Sequence, residues 1–164
     1  MSWTKAFARQ AQSDFQARDY LLANPRLPPC HQLHALQMAF EKLAKAHLID
    51  AGSDPCDVQS SHAYIAKVVP LIVREMLART PGAGRETWVV YAIRDLCRKI
   101  ELLSPAVTAG GTAPSNVEYP RRLPSGQIAA PADHDFGLDL LFAKAGVTML
   151  KVARARANEL SGIQ

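Results

Sequence analysis

Arg26 and His31 stand with four residues between them. An arginine stabilises the charge of a phosphorane and a histidine moves protons, so the pair has the residue types for metal-independent RNA cleavage. The intervening Leu27-Pro28-Pro29-Cys30 cannot be regular helix throughout, which places the pair on a turn entering the second helical segment. The same two residues also suit a solvated turn. Cys30, His31 and His34, with Cys56 farther along, bring soft and imidazole ligands, and His31 and His34 share a helix face at their three-residue spacing. No second ligand cluster accompanies them, so neither a metal nor a cofactor is expected.

Glu41, Lys42 and Lys45 form a second polar group, with Glu41 and Lys45 four apart in the order that favours an ion pair. They suit a ligand-binding surface, and equally a solvated or dimer-facing side of a helix. A third group, Glu118-Tyr119-Pro120-Arg121-Arg122, joins an aromatic platform to two guanidinium groups. Such a set stacks on a base and grips phosphate, or pins a loop to its domain. There is no Gly-x-x-x-x-Gly-Lys-Ser/Thr loop, no Gly-x-Gly-x-x-Gly turn and no His-Glu-x-x-His pair, and Gly82-Ala83-Gly84 alone carries little. Ser, Cys and His are nowhere arranged as a nucleophile elbow.

The elements that must position these groups read as helices. Trp3, Phe7, Ala11 and Phe15 recur every four residues, with Leu22 continuing the stripe, and predict a helix over 3–23 that Asn24-Pro25 ends. Leu33, Leu36, Phe40, Leu43 and His47 predict a second over 30–51, closed by Gly52. Ile65, Val68, Val69, Ile72 and Met76 mark a third over 61–79, capped by Ser60 or Ser61 and kinked or divided at Pro70. After Gly82 and Gly84, Val89, Ile93, Leu96, Ile100 and Leu103 give the cleanest amphipathic pattern, over 85–104. Residues 105–134 hold Pro105, Pro114, Pro120, Pro124 and Pro131 with Gly110, Gly111 and Gly126, and read as one long loop. A fifth helix over 135–160, capped by Asp133 or Asp135, buries Leu138, Leu141, Phe142, Ala145, Met149 and Val152. No strand pattern or internal repeat stands out. The expectation is one all-α domain over 1–164, an up-and-down bundle of about five helices.

A chain of 164 residues, 48% hydrophobic and 21% charged, holds a core of its own and is too apolar for intrinsic disorder. Cys30, Cys56 and Cys97 are odd in number and widely spaced, which argues against a disulfide framework and for a reducing cytoplasm. The start, Met1-Ser2-Trp3-Thr4-Lys5, lacks the apolar run of a signal peptide, and the apolar patch Val68–Val73 is too short to cross a membrane. The net charge of +4 is compatible with a phosphate-rich partner.

Several segments, taken in order, resemble the HEPN superfamily of helical domains, named for higher eukaryotes and prokaryotes nucleotide-binding. They are Ala8-Arg9 with Asp14, Ala17 and Leu21-Leu22, then His34-Ala35-Leu36-Gln37-Met38-Ala39-Phe40-Glu41-Lys42-Leu43-Ala44-Lys45-Ala46. Ser61-His62-Ala63-Tyr64-Ile65, Val117-Glu118-Tyr119-Pro120 and the stretch from Phe136 to Leu150 follow, and together they span about two thirds of the chain. The resemblance implies a helical bundle that homodimerises and binds RNA, a nucleotide or a partner protein. A nucleotidyltransferase from a neighbouring gene would be one such partner. Active members of the superfamily cleave RNA with an Arg, four to six residues and a His on a helix. In this chain the one match is Arg26–His31, on the other side of the second helix, while Arg85, Arg94 and Arg98 have no His following within reach. The expectation is therefore a non-catalytic HEPN-like module. The alternative is a metal-independent endoribonuclease of a toxin-antitoxin or antiviral defence system, with Arg26 and His31 as its catalytic residues.

Overall fold

The computed structural model of the chain describes residues 1–79, 87–107, 116–123 and 125–162. Its helices are α1 (Trp3–Leu22), α2 (Pro29–Asp50), α3 (Pro55–Gln59), α4 (Ile65–Ala78), α5 (Thr87–Glu101) and α6 (Lys144–Ser161). The chain is an all-α bundle. α1 packs on α2 and α6, while α4 packs on α2, α5 and α6, so that α6 closes the bundle against its first and middle members. The core runs through Phe15, Leu36, Phe40, Ile72, Ile93 and Met149, with the Phe15 and Phe40 rings edge to face at 5.5 Å.

The α5 stripe is buried as its spacing predicts: Val89, Ile93, Leu96, Ile100 and Leu103 all face inward. The α1 stripe differs. Ala8, Ala11, Phe15 and Arg18 are the buried residues, while Trp3 and Leu22 at the ends of the predicted row are exposed. Each strict step of four residues advances about 40° beyond a full turn, so a row spaced by fours drifts off the core, whereas steps of three, four and three hold it there.

Two helix starts move from their expected places, and α5 ends at Glu101 rather than 104. The third helix begins at Ile65 rather than 61, because Ser60 donates its hydroxyl to the Asp57 carbonyl and Ser61 accepts from the Ala63 amide. Both serines therefore shape a turn after the short helix α3, which Asp54 caps through the Cys56 amide. α4 has no side-chain cap from Tyr64; instead Glu101, at the end of α5, accepts a hydrogen bond from the Ala66 amide at 3.0 Å. Pro70 does not divide α4, which runs unbroken to Ala78. The last helix starts at Lys144, not 135, because Asp135 accepts from the Gly137 amide and Gly137 takes a positive φ of 60°, a conformation that stops a helix. Phe142 consequently lies outside α6 and is 63% exposed. The expected loop 105–134 also carries a two-stranded ladder, β1 (Arg121–Arg122) against β2 (Ile128–Ala129), antiparallel with Arg121 opposite Ala129. Gly82, Gly84, the helix start at 85, Gly110, Gly111, Pro114 and Pro124 lie outside the described residues.

The residues before α6 fold back across its first turn. A Cβ added at Gly146 would collide with the backbone of Leu140 and Leu141, which has no side-chain freedom with which to yield. Gly146→Ala should therefore lower stability by about 3 kcal/mol through overpacking, readable as a fall in the urea midpoint with the slope unchanged.

Candidate functional site

Four polar residues of α2 lie along one face. His34, Gln37, Glu41 and Lys45 are spaced by three, four and four, and the last three are buried. Glu41 is their centre. Its Oε2 accepts from Gln37 Nε2 at 3.0 Å, and its Oε1 lies 2.9 Å from Lys45 Nζ and 3.0 Å from His62 Nδ1. Lys45 also donates to the Gln59 carbonyl at 3.3 Å. Burial disfavours the charged carboxylate, but Lys45, Gln37 and His62 together outweigh that effect and hold the Glu41 carboxyl below its usual range. The cluster therefore ties α2 to the 59–62 turn. The solvated or dimer-facing role open to Glu41 and Lys45 on spacing alone does not hold, because both are enclosed within this one chain. Lys42, on the neighbouring face, pairs with Asp14 of α1 at 3.2 Å.

Farther along the same face, His34 Nδ1 lies 3.6 Å from Glu118 Oε1. Asn116 Oδ1 accepts from the amides of both Glu118 and Tyr119, which fixes the turn that presents Tyr119 outward. Arg121 lies 3.1 Å from the His134 ring nitrogens, and Arg122 donates to the Gly126 carbonyl within the hairpin. Tyr119 thus offers an exposed ring, while the two guanidinium groups hold the hairpin as well as facing its surroundings.

Arg26 and His31 sit on the turn before α2 and in its first residues, both exposed; the Arg26 amide donates to Asn24 Oδ1 at 3.2 Å, while the side chains of Arg26 and His31 make no hydrogen bond or ion pair among the described residues. Cys30 is buried, and burial raises its thiol pKa, which disfavours the thiolate form. Among the described residues no group of three or more His, Cys, Asp or Glu side chains is gathered as a metal would need.

A different part of the bundle forms an open groove. Between α4 and α5 lies a cleft of about 820 Å³, with Lys67 and Arg74 on one wall and Tyr91, Arg94, Asp95 and Arg98 on the other. Pro70, Leu71 and Val90 supply its apolar surface, and Glu101 lies at the end near Ala66. Asp95 pairs with Lys99, and Glu101 caps α4. Among the described residues none of Lys67, Arg74, Arg94 and Arg98 makes an ion pair, and Tyr91 is 65% exposed. The groove thus presents four cations without an ion pair among the described residues and an accessible ring, the combination that grips phosphate and stacks a base.

The charge runs of the sequence do not by themselves reveal this groove. A signal for each wall is present: Lys67 and Arg74 are seven apart on α4, and Trp88, Tyr91, Arg94 and Arg98 follow one face of α5. What brings the two rows side by side is the packing of α4 on α5. No family model, curated protein or solved structure matches this chain. No helix among the described residues is long and apolar enough to cross a membrane.

Proposed function

We propose that this chain is a non-catalytic, HEPN-like helical module that binds RNA or a nucleotide, with the α4–α5 groove as its binding face. The observation that carries the reading is the set of four cations, Lys67, Arg74, Arg94 and Arg98, without an ion pair among the described residues and lining one cleft beside exposed Tyr91. Cations held close together repel one another, and the groove lines four of them with only two carboxylates, Asp95, which pairs with Lys99, and Glu101, which caps α4. A phosphorylated ligand supplies the missing counter-charge, and Tyr91 offers a π-face to a base. Arg26 and His31 are not among the residues that line this groove, which supports the non-catalytic form of the reading.

Fluorescence anisotropy with a labelled single-stranded oligouridylate tests it directly. Tyr91→Ala should weaken binding about tenfold, the loss of one stacked base. Tyr119→Ala and Arg122→Ala address the loop in the same assay; a loss there with none in Tyr91→Ala would move the binding face to the hairpin. Homodimerisation comes with the HEPN resemblance. Light scattering checks it, and a monomer throughout the micromolar range would remove it from the proposal.

A further inference from the structure

We infer that Glu101 is the selectivity residue of the α4–α5 groove, admitting the bridging phosphodiesters of a polynucleotide and excluding the terminal phosphates of free nucleotides. The inference rests on the reading of the groove as a phosphate-binding face and decides which of its two ligand classes fits.

The first turn of a helix is where a terminal phosphate ordinarily settles, because its amides point outward and carry partial positive charge. α4 presents such a turn to the groove: Ala66 and Lys67 line it, and Tyr64, at the capping position, contributes no side-chain acceptor. Lys67 and Arg98 line the same groove as that turn, so an anion arriving there would meet both amides and cations. The position is already filled from within. Glu101 reaches from the end of α5 and accepts from the Ala66 amide at 3.0 Å. Although Lys67 and Arg98 line the same groove, Glu101 makes no ion pair among the described residues, so its carboxylate is held by the Ala66 amide rather than by a cation in contact with it.

A fixed carboxylate at this end acts differently on the two kinds of phosphate. A phosphodiester carries one charge and leads away through both bridging oxygens, so it can lie along Arg94 and Arg98 without approaching the α4 amides. A terminal phosphate carries close to two charges, presents three acceptor oxygens and competes for the Ala66 amide that Glu101 holds. Like charges in that seat repel, and the nucleotide tail loses its best site. The arrangement predicts a preference for the strand over the free nucleotide that a plain basic groove would not show.

The test compares ATP with a short oligouridylate on the full-length protein, by calorimetry in matched salt. In the wild type the oligouridylate should bind at least tenfold more tightly than ATP, and an oligouridylate with a 5′-hydroxyl end should bind no more weakly than the same strand with a 5′-triphosphate. Glu101→Gln keeps an acceptor for the Ala66 amide while removing the charge, and should improve ATP binding about tenfold more than it improves oligouridylate binding. Glu101→Ala, checked for wild-type helix content by circular dichroism, is the second variant. An unchanged ATP-to-strand ratio in both variants, or a wild type that prefers the triphosphate end, would overturn the role of Glu101 while leaving the groove reading intact. Binding of both ligands that ignores Arg94→Glu, or no binding of either, would overturn the groove and the inference together.

Discussion

Replacing Glu41 by alanine should lower stability by about 3–5 kcal/mol, as much as truncating a core aromatic residue. The loss comes from what stays behind. Lys45 is 5% exposed and would keep only the Gln59 carbonyl as a partner, while Gln37 would lose the acceptor for its amide. A buried ammonium without a counter-charge is strongly unfavourable, whereas removing both charges together is not. Glu41→Met combined with Lys45→Met should accordingly recover stability to within about 1 kcal/mol of the wild type. Urea unfolding of the two variants separates these outcomes, and equal losses in both would show that the ion pair itself contributes net stability. The contribution is also pH-dependent. The Glu41 carboxyl is held below its unfolded value, so its stabilisation is fully present above the unfolded range near about 4.3 and is lost as pH falls through the lower folded value.

Reversing two charges in the groove, Arg94→Glu with Arg98→Glu, should weaken oligouridylate binding by about a hundredfold or more. Each guanidinium that meets a phosphate contributes roughly 1.5–3 kcal/mol, and 1.4 kcal/mol is a factor of ten in affinity. Both residues are exposed on the outer side of α5 and neither belongs to the core, so thermal stability should hold. The salt dependence carries a separate signature. For a single strand the slope of log affinity against log salt falls by about 0.7 for each phosphate that the protein no longer neutralises, so the double variant should lower it by about 1.4. A wild-type slope in the variant would mean that the strand lies elsewhere on the protein.

The two sets of residues differ in how far the sequence makes them legible. Glu41 and Lys45 can be paired from their four-residue spacing, because helical geometry alone brings such side chains together. Their burial cannot be read that way. It depends on His62 and the 59–62 turn arriving from α3, and α3 is too short to leave a periodic signal. The same holds for the start of α4: the sequence offers Ser60 and Ser61 as caps, but the acceptor comes from Glu101, thirty-five residues away from Ala66. Local rules identify residues able to cap and are silent on a carboxylate supplied by another helix.

Periodicity by itself determined the all-α class, the inward rows of α2, α4 and α5, and the stop of α1 before Pro25, because burying one face of a helix requires apolar residues at fixed angular intervals. The cations of α4 and α5 sit at outward positions that follow once the inward ones are known, but nothing in their spacing marked them as a site. Only the tertiary structure decided that these cations face one cleft, that Glu101 closes its end, and that Glu41 lies inside rather than outside the bundle. Each of those facts depends on how one helix is set against another, and spacing along a single helix fixes the direction of a side chain only relative to its own axis.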